Sequence, residues 1–409
     1  RMAFTVEQEC PQCGAPIELE ETDHLLRCPY CNVKSFLFSR DYFRFVLPHK
    51  ARDKDIVYAP YLRFKGNVYL CQGQTIGRRI VDITHLGAPV NGLPVSLGLR
   101  PQAMKMKFAT PHMADSFLKC SLRLSDMLAK VGKHTSGSGS GRLFHRTYIG
   151  EALSLIYLPL FVHERKVFDA ITKRPIVKLS QDQDIFGSAI KNNPPTELTF
   201  MATLCPRCGW NLDGERDSVV LTCANCDSAW EASEGRFVRV GLAVVPGRGQ
   251  NTVHLPFWKI KACARGVEIN SFADFIRVTK QPRVVQRDWE NQDMCFWSPA
   301  FKIRPKIFLR LSGQLTISQK EFETKEAIPK HGVYPVTMPR SEAVQSMKLT
   351  LATSAITKRK IFPLLPRVSF TVKDSTLVYL PFADTGHEMV QQHMRISINK
   401  RALEFGRYL

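Results

Sequence analysis

Eight of the twelve cysteines in this 409-residue chain fall in two matched sets. The first is Cys10-Pro11-Gln12-Cys13-Gly14, answered by Cys28-Pro29-Tyr30-Cys31-Asn32. The second is Cys205-Pro206-Arg207-Cys208-Gly209, answered by Cys223-Ala224-Asn225-Cys226-Asp227. Both have the spacing C-x2-C-x14-C-x2-C, which lets two tight turns bearing two thiolates each close around one tetrahedral ion. Four sulfur ligands are the donor set of structural zinc, so two ions per chain are expected; iron with the same ligands is the alternative. The residues after the second cysteine of each pair, Gly14, Asn32, Gly209 and Asp227, are types that tolerate the left-handed backbone such a turn needs. A metal held by four sulfurs has no open position for a substrate water, so neither site is a hydrolytic centre.

Over residues 8–38 and 203–232 the chain resembles the zinc-ribbon family. The resemblance implies a small three-stranded β unit around each metal. It implies no particular activity, since such ribbons occur in transcription factors, polymerase subunits, ribosomal proteins and helicases alike.

The elements that carry these turns must come from a chain able to bury at least two cores. Net charge is +20, which points to an anionic partner: nucleic acid, an acidic lipid surface or an acidic protein. Cys71, Cys120, Cys263 and Cys295 stand alone and read as small hydrophobes, so cysteine usage fits a reducing, cytoplasmic setting. Glu7, Glu9 and Cys10 precede any apolar run, so no signal peptide is expected. The longest apolar run, Ala152 to Val162, is too short to span a bilayer.

Five landmarks recur in the same order. After the cysteine sets, Val57 to Lys65 pairs with Val253 to Lys261, and Leu99-Arg100-Pro101 with Ile303-Arg304-Pro305. Then Thr110-Pro111-His112 pairs with Met338-Pro339-Arg340, and Leu155-Ile156-Tyr157-Leu158-Pro159 with Leu377-Val378-Tyr379-Leu380-Pro381. A repeat near 200 residues long implies two related domains. The expected fold is α+β, mainly antiparallel, with each ribbon followed by a β-rich lobe carrying one or two helices. The expected boundaries are 1–40 and 195–240 for the ribbons, and 41–194 and 241–409 for the lobes. Asn192-Asn193-Pro194-Pro195 marks the break, and Ser136 to Gly141 reads as a flexible tip or linker. Pro60, Pro159, Pro256 and Pro381 predict edge strands, strand starts or bulges. Helices are expected over Asp115 to Val131 and Ser341 to Met347, and residues 312–336 as an insertion without a partner.

No phosphate loop, nucleophile elbow or H-E-x-x-H metal motif is present, so a non-enzymatic protein is expected. The basic residues carry the pattern. Alternation over Phe301 to Leu311 predicts a half-buried strand with Lys302, Arg304, Lys306 and Arg310 on its polar side. Lys105 and Lys107 repeat this, and Arg63, Lys65, Lys259 and Lys261 do so on the preceding strands. Such faces either keep strand edges soluble or dock a phosphate polymer, with Tyr61, Phe257 or Trp258 placed for stacking or for the core. The leading expectation is a zinc-ribbon protein binding nucleic acid. A scaffold subunit docking an acidic protein or a membrane surface is the alternative, and an enzyme with a site between lobes the third.

Overall fold

The computed structural model describes residues 4–51, 53–110, 113, 115–135, 141–180, 190–191, 198–247, 249 and 251–409. The expected break at Asn192–Pro195 and most of the Ser136–Gly141 segment lie outside the described residues, as do Pro111 and His112. The fold is α+β, with mixed but mainly antiparallel strands, and it divides into two units. The first is Arg1–Lys65, Val81–Gly137 and Glu151–Ala202; the second is Gly66–Ile80, Ser138–Gly150 and Thr203–Leu409. Each unit therefore holds one four-cysteine set, and two segments of the first half, 66–80 and 138–150, belong to the second unit.

In the first unit, hairpin β1 (Thr5–Glu9) and β2 (Pro16–Glu20) encloses one cysteine pair. Hairpin β3 (Leu25–Arg27) and β4 (Lys34–Phe38) encloses the other. There follow β5 (Phe43–Val46), β6 (Val57–Gln72), β7 (Thr75–Leu86), the one-turn α1 (Arg100–Ala103), β8 (Lys105–Phe108), β9 (Ser116–Phe117) and α2 (Leu124–Thr135). The long β10 (Leu143–His163) leads into the meander β11 (Lys166–Asp169) and β12 (Pro175–Lys178). β13 (Ile190–Lys191) pairs with β9, and β14 (Thr199–Ala202) with β4. The main sheet runs β13-β9-β6-β10-β5-β8-β1-β2. β6 is buried on both faces along nearly all its length, as an interior strand requires, and its middle carries the buried polar residues Arg63, Lys65 and Asn67.

In the second unit, β15 (Val220–Cys223), β16 (Ser228–Ser233) and β17 (Arg236–Val244) lead into the long pair β18 (Thr252–Arg265) and, later, β20. Between them lie α3 (Phe272–Thr279), β19 (Cys295–Pro299), α4 (Pro305–Ser318), α5 (Arg340–Gln345), α6 (Met347–Ser354) and α7 (Lys358–Ile361). β20 (Ser369–Asp384), β21 (Glu388–Gln391), β22 (Ile396–Asn399) and α8 (Lys400–Gly406) close the chain. The sheet order is β15-β16-β17-β20-β18-β19. α3 starts on a Ser271–Asp274 capping box and stops at Lys280, whose φ of 56° turns the chain out of the helix. The core gathers Trp258, Phe257, Phe275, Phe296 and Phe308 with Tyr69, Cys71 and Ile149 from the two first-half segments. The six helices α3 to α8 exceed the one or two expected for this lobe.

Pairing registers recur between the units. Leu155 lies opposite Arg44 and Leu377 opposite Leu242, both in parallel pairs, and the N–H groups of Leu47 and Val245 donate to Tyr157 and Tyr379 at 3.1 and 2.9 Å. Tyr58 pairs in parallel with Phe117, and His254 with Val333; Val46 pairs antiparallel with Lys107, and Val244 with Lys325. Phe161 lies opposite Phe168, and Ala383 opposite Val390. Within residues 312–336, Lys325 bridges Val244 and Val333 bridges His254.

Three further expectations are corrected. Pro60, Pro159 and Pro256 lie inside long paired strands rather than at edges, each facing the point where a neighbour's ladder ends. Their carbonyls accept from Gly87, Ala170 and Ala300, each one residue past β7, β11 and β19, so the missing donor falls where a ladder stops. The helix expected over Asp115 to Val131 begins at Leu124, because Ser116 and Phe117 form β9; Met127 and Val131 are buried on it. The strand expected over Phe301 to Leu311 does not form: β19 ends at Pro299 and residues 301–304 are irregular. Pro305 then opens α4, where its fixed φ and absent N–H suit the first helical position.

Candidate metal centres and a basic helix start

In the first four-cysteine set the two turns are built alike. Cys10 N–H donates to Ala15 and Gly14 N–H back to Cys10; Cys28 and Val33, Asn32 and Cys28 repeat the pattern. In the second set Cys205 donates to the Trp210 carbonyl at 2.7 Å and Gly209 to Cys205 at 2.9 Å. All four residues expected to turn left-handed do so: φ is 73° at Gly14, 59° at Asn32, 73° at Gly209 and 47° at Asp227. The turns bring Cys10, Cys13, Cys28 and Cys31 together, and likewise Cys205, Cys208, Cys223 and Cys226. Within each set all four sulfurs lie within 4.8 Å of one another. Cys10–Cys31 and Cys13–Cys28 are 3.7 and 3.6 Å apart, Cys205–Cys226 and Cys208–Cys223 3.7 and 3.5 Å. Sulfurs at about 2.3 Å from a common tetrahedral ion stand about 3.8 Å apart, so both donor sets fit one metal ion each.

Backbone N–H groups favour the thiolate at Cys28 and Cys205, whereas burial and the neighbouring thiols push Cys31 and Cys223 up to about 12. The Cys31 and Tyr30 N–H groups donate to the Cys28 sulfur and hold its pKa at about 6. Against the cost of burial, the Arg207 and Cys208 N–H groups hold Cys205 at about 6 as well. The second set has one feature that the cysteine spacing does not disclose. Ser228 Oγ lies against both Cys226 and Cys205, and the Trp230 indole N–H donates to it. Only its place two residues after Cys226, where the first set has Val33, hinted at it.

The candidate anion-binding residues separate into two kinds. Lys105 and Lys107 alternate outward on β8 as expected, but they face carboxylates: Lys105 Nζ is 2.7 Å from Glu18 and Lys107 Nζ 3.9 Å from Glu7. Lys302, Arg304, Lys306 and Arg310 cluster at the start of α4 instead of along a strand. Arg304, Lys306 and Arg310 are exposed, and among the described residues none of the four pairs with a carboxylate. Arg310 reaches only the Ser397 carbonyl, at 2.6 Å. Arg304 stands at the N-cap without a side-chain cap, and the first turn holds no acidic residue. Cations at the positive end of a helix are unfavourable unless an anion sits beside them.

Arg63 and Lys65 belong to neither kind. Each is 1% exposed, inside the first unit. Arg63 pairs with Glu21 and makes a two-bond fork to Asp82 at 2.8 Å, and Lys65 Nζ is 3.6 Å from Glu21. Lys261 pairs with Asp293 at 2.9 Å, and Lys259 lies over the Trp297 ring. Tyr61, Phe257 and Trp258 are core residues; the Trp258 indole donates to the Met338 carbonyl.

No protein-family model, curated protein or solved structure matches this chain. The functional reading therefore stands on the geometry alone. No described helix is long and apolar enough to cross a membrane.

Proposed function

We propose that the chain is a tandemly duplicated zinc-ribbon protein whose second unit docks nucleic acid through the start of α4. Sulfur donors in tetrahedral spacing favour zinc among biological divalent ions, and the zinc would act as a structural clamp on each pair of turns. Duplication is supported by the recurring registers: the same strand order around Tyr157 and Tyr379, and the same carbonyl acceptors at Pro60 and Pro256. Matching patterns at this many levels are what a shared fold requires.

The observation that carries the docking reading is the helix start Arg304-Pro305-Lys306. In the first unit the matching Arg100 opens α1 and is neutralised by Asp169 at 2.6 Å. In the second unit the residue at the end of the corresponding meander strand is Gln391, and Arg304 has no carboxylate among the described residues. One unit has the ion pair; the other has Gln391 in the acid's place and Lys302, Lys306 and Arg310 near Arg304. Residues 301–409 hold 18 Lys+Arg against 8 Asp+Glu, so half the chain's surplus lies in this quarter. Phosphate groups are the anions such a surface takes up by releasing counterions. The purified protein should carry nucleic acid, seen as ultraviolet absorbance that high salt strips away; clean protein that also fails to bind added RNA or DNA contradicts the reading.

A scaffold role is the second reading, favoured by exposed Leu204 and Trp210 beside the second four-cysteine set. Trp210 is 59% exposed, and an aromatic in that position is a common protein-docking anchor. Protein docking would show a shallower loss of affinity with salt than phosphate docking.

A further inference from the structure

α8 and the turn after it present two exposed aromatic rings beside the α4 cations. Among the described residues four aromatic side chains are exposed, Tyr30, Trp210, Phe405 and Tyr408, and the last two stand three residues apart. Phe405 is 57% and Tyr408 43% exposed. The Tyr408 N–H donates to the Phe405 carbonyl at 3.2 Å, so the helical turn runs on past Gly406 and puts both rings on one side. Arg401, one turn earlier, is exposed on that side together with Glu404. The other side is packed, with Ala402, Leu403 and Leu409 buried.

This element is anchored against α4. Gly406 is where the two backbones meet: a Cβ there would run into the Lys302 carbonyl oxygen and lie 3.0 Å from Ile303 Cα. Arg310 on α4 reaches the Ser397 carbonyl on β22, the strand that leads into α8. The Tyr334 hydroxyl donates to the Leu403 carbonyl at 2.9 Å, and Arg407 forks onto Asp217. Phe405 and Tyr408 therefore flank the residue that touches Lys302, and an element held at both ends presents them to solvent.

We infer that Phe405 and Tyr408 stack on the bases of a single-stranded nucleic acid whose phosphates lie along Lys302, Arg304, Lys306 and Arg401. The inference rests on the docking reading for α4 and narrows its ligand. Charge selects a polyanion, since Glu404 is the one carboxylate on the exposed side of α8. The rings select an unpaired strand. In a duplex the base faces are already stacked on one another, whereas each base of a single strand offers a face to an aromatic ring. An acidic protein would answer the cations without needing bases, and the test separates the two.

Fluorescence anisotropy of the full chain tests it with a labelled single strand of about 12 nucleotides, a duplex of the same length, and a single strand of that length carrying abasic sites in place of its bases. The abasic strand keeps every phosphate, so it isolates stacking. The intact single strand should bind about tenfold more tightly than either comparison probe. Phe405→Ala with Tyr408→Ala should weaken single-strand binding about tenfold, leave abasic binding unchanged and keep the salt slope, because no phosphate contact is lost. Tyr408→Phe should bind like wild type, since the ring stacks and the hydroxyl does not. The double variant should melt like wild type, both rings being exposed. The abasic comparison uses the wild-type protein and stands even where a variant fails to fold. Stacking is overturned, and docking at α4 kept, if the abasic strand or the duplex binds as tightly as the intact single strand, or if the folded double variant binds it like wild type. Failure of all the probes to bind overturns both.

Discussion

Ser228 Oγ lies 3.0 Å from Cys226 Sγ. The Trp230 indole N–H, 2.8 Å away, occupies a lone pair of that hydroxyl and leaves its hydrogen to donate to sulfur. Val33 holds the same place after Cys31, so the first set has no such donor there. A hydroxyl donated to a ligand sulfur spreads its charge and fixes its orientation, and groups of this kind change metal affinity by about 10–100-fold when removed. Under a competing chelator the two zinc ions should therefore leave in two phases, the first set emptying first. Ser228→Ala should merge the phases. Two unequal phases that persist in Ser228→Ala would show that some other feature sets the order.

The buried network of the first unit should be sensitive to loss of one member. Glu21 faces both Arg63 and Lys65, and all three side chains are buried. Glu21→Gln removes the carboxylate that two buried cations share, and breaking such a pair costs about 3–5 kcal/mol. The urea midpoint should fall accordingly, whereas Glu18→Gln, which removes an exposed pair with Lys105, should shift stability by about 1 kcal/mol or less.

His145 gives the second unit an acid limit. Burial lowers its pKa to about 4, with Lys348 adding to the shift, and its Nε2 makes no hydrogen bond among the described residues. The folded state thus holds the ring neutral while the unfolded chain takes up a proton below about pH 6.5. Stability is intact above that value and declines as pH falls toward about 4, by about 3 kcal/mol in all. His145→Gln should flatten that part of the pH–stability curve, measured by denaturant melts between those two values. An unchanged slope would place the acid sensitivity elsewhere.

The two four-cysteine clusters were legible in the sequence because their chemistry is local. Spacing alone closes each pair of turns, and glycine, asparagine and aspartate at the left-handed positions mark them. The strands around Tyr58, Leu155, His254 and Leu377 were legible for a related reason: their apolar runs recur in order. Two things were not. Alternation at Arg63 and Lys65 describes a polar stripe but cannot say what covers it, and the covering residues, Glu21 and Asp82, are far away in sequence. At Phe301 to Arg304 the alternation is real, yet Pro305 suits a helix start as well as a strand irregularity, and the apolar residues beyond it, Phe308, Leu309 and Leu311, fit a helix face too.

The α4 start is where the docking claim is most exposed to test. The measurement is fluorescence anisotropy of labelled single-stranded RNA against salt concentration, for wild type and for the variant carrying Lys302→Gln, Arg304→Gln, Lys306→Gln and Arg310→Gln. Exposed substitutions of this kind usually shift stability by about 0.5 kcal/mol or less each, so the variant should fold, with a near-wild-type melt as the control. Each phosphate contact on a single strand contributes about 0.7 to the slope of log affinity against log salt. The account predicts weaker binding at low salt and a slope shallower by up to about 3. A folded variant with wild-type affinity and wild-type slope would contradict it.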